Sequence, residues 1–213
     1  MDITTQILEE AKSTLSCAKG SHDWEHTERV YQLCMHIGRK ERADMEIVQL
    51  AALLHDIGRR HEDESKGKIC HAEKGAELAS AILKKYHIDD DKIKQITHCI
   101  ECHRFRNNKI PQSKEAKVLF DADKLDSIGA VGIGRAFLFA GEVGAKLHNH
   151  NIKDIENTEP YSEDDTAYRE FMVKLRKIKD KMLTDEGKRI AEARHRFMVE
   201  FFDRLNKEVD GEL

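Results

Sequence analysis

Proline is nearly missing from the 213 residues, with only two, and aromatic residues make up 6% with a single tryptophan. Sheet proteins draw on aromatic and β-branched residues, so this poverty argues against a β-sandwich or barrel. No run of about 18 apolar residues occurs, and a membrane-spanning helix is not expected. The five cysteines are an odd number scattered through helix-like segments, which argues against a disulfide framework and for a reducing compartment. The start, Met1-Asp2-Ile3-Thr4-Thr5, carries acid where a secretory signal needs base followed by an apolar run, so a cytoplasmic protein without a membrane partner is expected. Neither charge sign dominates: 36 basic and 40 acidic residues give a net charge of −4, so charge by itself implies no nucleic-acid partner.

What is abundant is charge, at 36%, and histidine, at twelve. Apolar residues recur at helical spacing: Ile3, Ile7, Ala11 and Leu15; Val30, Leu33, Cys34 and Ile37; Ile47, Leu50, Ala51 and Leu54; Ile93, Ile96 and Ile100; Phe197, Phe201 and Leu205. Ser21, Asp44, Ser113 (or Lys114) and Thr184 precede such stripes as helix-start signals. The reading is all-α, one domain over 1–213 with a motif-bearing core at about 20–140 and C-terminal helices at about 166–208. Between them, at about 141–165, glycine, asparagine and Pro160 break the periodicity, and a loop of that length suggests a lid or partner-binding segment. His148 and His150 in that stretch read as solvated.

The remaining histidines separate by position. His22 and His26 lie four apart on one helix face, with Arg29 one turn further. Leu50-Ala51-Ala52-Leu53-Leu54 leads into His55-Asp56, which places an imidazole and a carboxylate at the end of a helix buried on several sides. That pairing is costly unless something cationic satisfies both, and a divalent metal would do so. Gly58 would let the chain turn away and bring Arg59 or Arg60 near. Asp121, Asp123 and Asp126 are set into another apolar helix, where one of them is a good further ligand; helical geometry does not choose among them. Rotation of the helix bearing Ile96 and Ile100 turns His103 inward and His98 outward, while His36, His61, His87 and His195 read as structural or surface residues. Cys99 and Cys102 form one C-x-x-C, better read as ordinary helix residues than as half of a zinc site.

In order, His26, His55-Asp56 and Asp123 resemble the H…HD…D signature of the HD-domain superfamily of metal-dependent phosphohydrolases. The resemblance extends to His22-Asp23-x-x-His26-x-x-Arg29-Val30, to Ala52-Leu53-Leu54-His55-Asp56-Ile57-Gly58, and to Asp121-Ala122-Asp123-Lys124-Leu125-Asp126-x-Ile128-Gly129-Ala130. These strings are closest to a cytoplasmic branch of nucleotide pyrophosphohydrolases. A helical bundle is implied, holding one divalent ion (Mn, Mg, Ni, Fe, Co or Zn) through His26, His55, Asp56 and Asp123. Asp123 is preferred because in related dNTP triphosphohydrolases the ligand directly precedes a phosphate-contacting lysine, here Lys124; Asp121 is the alternative ligand.

His71-Ala72-Glu73-Lys74-Gly75 resembles the H-x-x-x-G element of binuclear relatives, so His71 and His103 are expected either to transfer protons beside Asp56 or to bind a second metal. His22, Arg29, Arg59, Lys124 and Asp126 are expected to contact substrate. The implied partner is a small phosphorylated molecule such as a nucleotide, attacked by a metal-activated water; a homodimer stays open. A binuclear phosphodiesterase, a di-iron oxygenase and a non-catalytic nucleotide-binding module are the alternatives.

Overall fold

The computed structural model describes residues 2–15, 24–104, 109–149 and 154–213, and no strand occurs among them. The chain divides into two compact units, Met1–Asp123 and Lys124–Leu213.

The first unit contains α1 (Ile3–Leu15), α2 (Trp24–Glu41), α3 (Met45–Leu54), α4 (Arg59–Glu64), α5 (His71–Lys85), α6 (Asp90–Cys102) and most of α7 (Lys114–Leu125). Two of the expected start signals in this unit are cap hydrogen bonds. Asp44 accepts from the Glu46 amide at 3.0 Å and the Ile47 amide at 3.4 Å, and Ser113 Oγ accepts from the Ala116 amide at 3.1 Å. Asp89, which the periodicity did not single out, accepts from the amides of Asp91 and Lys92 in the same way. Ser21 lies outside the described residues.

Helix α3 runs through the centre of this unit. Seven of its ten residues are buried, including the whole run Leu50–Leu54, because α2, α5, α6 and α1 all pack on it. The core joins Val30 and Ile37 of α2 to Ile47, Leu50 and Leu53 of α3 and to Ile96 and Ile100 of α6. Cys99 and Cys102 belong to the same packing, and burial pushes the Cys99 thiol up to about 12.

After α3 the chain turns at Gly58, and the reason for glycine there is close approach. Its φ of −84° is open to any residue, but a Cβ would stand 2.3 Å from the His71 carbonyl oxygen and 2.6 Å from the Gly75 nitrogen. Gly75 returns the fit, since its own Cβ would meet the His55 carbonyl at 3.3 Å. Two glycines facing each other thus let the end of α3 lie directly on the first turns of α5.

The second unit comprises α8 (Gly129–Glu142), α9 (Ala167–Val173), α10 (Asp185–Val209) and three short 3-10 turns. Thr184 caps α10 through the Gly187 amide at 3.0 Å. Phe202 of α10 is buried and stacks on Phe171 of α9 at 4.6 Å. The stretch expected as a loop, about 141–165, is better tied down than its composition suggests. Arg169 donates to Thr158 Oγ1 and to the Thr158 carbonyl, both at 2.6 Å, and to Asp165 at 2.8 Å, while Asn149 is buried and bonded to Thr166 and the Asp164 carbonyl. His148 is a correction to the sequence reading: it stacks on Tyr168 at 4.8 Å and lies 2.7 Å from Asn206 Oδ1 rather than in solvent. Its partners come from α9 and α10, which nothing local in the sequence announces. His150 lies outside the described residues.

Candidate metal centre

Helix ends in the first unit carry most of the site. His55 follows the last residue of α3 and His103 the last residue of α6, and each turns its Nδ1 back onto the carbonyl three residues earlier, Ala52 at 2.8 Å and Ile100 at 2.6 Å. A carbonyl can only accept, so both rings carry their proton on Nδ1 and present Nε2 as a lone-pair donor atom. His71 begins α5, His26 sits in the first turn of α2 and Asp123 in the last turn of α7.

Two groups of donor atoms result. His26, His55 and Asp123 form one: His26 Nε2 is 3.4 Å from His55 Nε2 and 3.4 Å from Asp123 Oδ1. Asp56, His71 and His103 form the other: His71 Nε2 is 3.1 Å from His103 Nε2 and 3.3 Å from Asp56 Oδ1. The Asp56 carboxylate spans both, with Oδ2 3.8 Å from the Nε2 of His26 and of His55. All four histidines and Asp56 are at most 2% exposed, and Asp123 is 18% exposed.

Burial pushes the imidazoles toward the neutral form. It lowers His55, although Asp56 opposes, and it takes His71 down to about 4 and His103 to about 3. Neutral rings with convergent lone pairs beside two carboxylates are a donor set that fits a divalent cation, which would replace nitrogen–nitrogen repulsion with coordination.

Arg59 lies at the edge of this centre, with Nη2 3.3 Å from Asp56 Oδ1. Arg29 is one turn beyond His26, near Glu25 at 3.9 Å. Lys124 directly follows Asp123 and is half-buried. Asp126 is buried and held by Arg135 at 2.5 Å. Asp121 is fully buried but belongs to neither donor group. His22 lies outside the described residues.

Two residues were not anticipated. Glu62 of α4 contacts His71 Nδ1, and Arg104 donates to both Glu62 oxygens at 2.6 and 2.8 Å. Burial would raise the Glu62 carboxyl, but the hydrogen bonds from Arg104 and His71 outweigh it and hold the group at about 2. Helices α5 and α6 lie between Glu62 and Arg104 in the sequence, so no spacing rule pointed to the pair.

The HD-domain family matches residues 23–128, and the chain belongs to it. Family membership implies a divalent metal, and the two donor groups could hold one. Over its whole length the chain is similar to YpgQ of Bacillus subtilis: 36% of 211 aligned residues are identical, covering 97% of this chain and 93% of YpgQ. A crystal structure of YpgQ in complex with ADP matches with a TM-score of 0.75 and 33% identity, covering 98% of both chains. An HD-superfamily hydrolase of Bacillus thuringiensis matches at a TM-score of 0.76 and 30% identity, over 97% of this chain and 96% of that one.

Proposed function

We propose that the protein is a metal-dependent phosphohydrolase acting on a nucleotide, with cleavage of a (deoxy)nucleoside triphosphate between the α and β phosphates as the leading reaction. The observation that carries this reading is the convergence of four imidazoles and two carboxylates, Asp56 and Asp123, in a buried centre. The ADP bound by YpgQ supports a nucleotide as the ligand. A divalent ion at such a centre supplies hydroxide at neutral pH and draws charge from the phosphoryl oxygen.

The chain's own residues have separate tasks in this reading. His26, His55, Asp56 and Asp123 are the ligand set. Arg59 offers a bidentate fork for a phosphate from beside Asp56, and Lys124 a point charge following Asp123. His71 and His103, neutral and within reach of Asp56, can hold or pass the proton that the leaving oxygen requires. Arg29, Asp126 and the undescribed His22 stay as proposed substrate contacts, with Arg135 holding Asp126 in place.

A binuclear centre, as in HD-type phosphodiesterases, is a second reading, favoured by one observation: Asp56 directs one oxygen to each donor group. The test for both is elemental analysis followed by a turnover screen of manganese-loaded protein against nucleotides and phosphodiesters. Pyrophosphate release from a triphosphate with one metal per chain supports the first reading. Two metals per chain with diester cleavage support the second, and no turnover of either class rejects both.

A further inference from the structure

We infer that Glu62 is a positioning residue that holds the His71 ring in its Nδ1–H tautomer, with Arg104 anchoring the Glu62 carboxylate.

The acceptor available to each histidine depends on where it sits on its helix. His55 and His103 each follow the last turn of a helix, so a carbonyl three residues back is at hand to take the Nδ1 proton, and both use it. His71 stands at the opposite end, as the first residue of α5, and has no preceding helical turn to offer such a carbonyl. A side chain from another element has to supply the acceptor. Glu62 of α4 does so, contacting Nδ1 through Oε2.

Arg104 Nη1 also lies 2.9 Å from His71 Nδ1. Its hydrogens have nearer takers in the two Glu62 oxygens at 2.6 and 2.8 Å. The carboxylate can only accept, so the proton between Glu62 and the ring belongs to Nδ1. Nε2 is left with its lone pair facing Asp56 Oδ1 at 3.3 Å and His103 Nε2 at 3.1 Å. Without Glu62 the ring would gain by moving its proton to Nε2, donating to Asp56 and accepting from Arg104. That tautomer turns an N–H into the centre where a lone pair is needed. Carboxylates that orient a ligating or proton-carrying histidine in this way typically change affinity or activity by about 10- to 100-fold.

The effect on turnover rests on the phosphohydrolase reading, whereas the tautomer is a property of the protein alone. The experiment uses full-length, metal-free protein with ¹⁵N-labelled imidazoles, in which long-range proton–nitrogen correlation spectra assign the tautomer of each histidine. In the wild type, His71 is expected to have a protonated Nδ1 and a bare Nε2; a proton on Nε2 overturns the inference without any variant. In Glu62→Met, which keeps the bulk and has no oxygen, His71 should shift toward the Nε2–H form, and turnover of the Mn²⁺-loaded protein should fall about 10- to 100-fold. Glu62→Gln, which retains an oxygen acceptor, should recover part of both. An unchanged His71 tautomer in Glu62→Met refutes the role. Loss of every nucleotide activity in the wild type, with the tautomer as expected, counts against the reaction and leaves the positioning role standing.

Discussion

Asp56 is the residue on which both donor groups depend, since one carboxylate oxygen lies 3.3 Å from His71 Nε2 and the other 3.8 Å from His26 and His55. Asp56→Ala is therefore expected to abolish divalent metal retention and all turnover, measured by elemental analysis and a pyrophosphate release assay. Asp123→Ala should weaken metal binding while Asp121→Asn should not, because Asp123 faces His26 and Asp121 belongs to neither group. The same centre predicts a pH dependence. His71 and His103 are lowered from 6.5 to about 4 and about 3, so the unfolded chain takes up protons there before the folded one does. Stability of metal-free protein should be full above pH 6.5 and decline as pH falls from there toward 4 and 3. At pH 5.5 the two rings together should cost about 3 kcal/mol, read as a fall in the urea midpoint. Glu62, held at about 2 against an ordinary 4.5, adds a loss of the same sign below pH 4.5. His55-Asp56 could be recognised as unusual from an apolar run ending in two polar residues. Glu62 could not, because its partners His71 and Arg104 are nine and forty-two positions away and sit on different elements.

At the scale of elements, the centre is built from helix ends. α3 and α6 finish where His55 and His103 are needed, α5 starts at His71, and α7 delivers Asp123 in its last turn. Contact between α3 and α5 depends on Gly58 and Gly75. Gly58→Ala would drive a methyl to 2.3 Å from a backbone carbonyl, which cannot rotate away. We expect a loss of about 3 kcal/mol or more in denaturant unfolding, with weakened metal binding, because α5 must withdraw and takes His71 with it. Cap residues Asp44, Ser113 and Thr184 were readable in advance, as their chemistry is local. The ordered state of His148 was not, since its stacking on Tyr168 and its contact with Asn206 join residues 20 and 58 positions apart.

For the whole molecule, a large apolar core makes folding largely independent of the metal. Chelation is expected to remove activity and leave the helical circular dichroism unchanged. Saturating Mn²⁺ at about 100 times its dissociation constant should stabilise the protein by about 2.7 kcal/mol, a rise of several degrees in Tm. A net charge of −4 offers no general attraction for an anionic substrate, so association should depend on local cations such as Arg59 and Lys124. No described helix is long and apolar enough to cross a membrane.

The sequence by itself determined the helical class, the caps and the ordered His26, His55-Asp56 and Asp123 series, because helix periodicity, capping and short motifs are properties of neighbouring residues. Only the tertiary structure decided which donors share a group, that Asp56 links the two groups, that Asp123 meets His26, and that Glu62 and Arg104 stand behind His71. Those outcomes depend on distances between helix ends set by core packing, and side chains far apart in the chain acquire a common electrostatic environment only after that packing has brought them together.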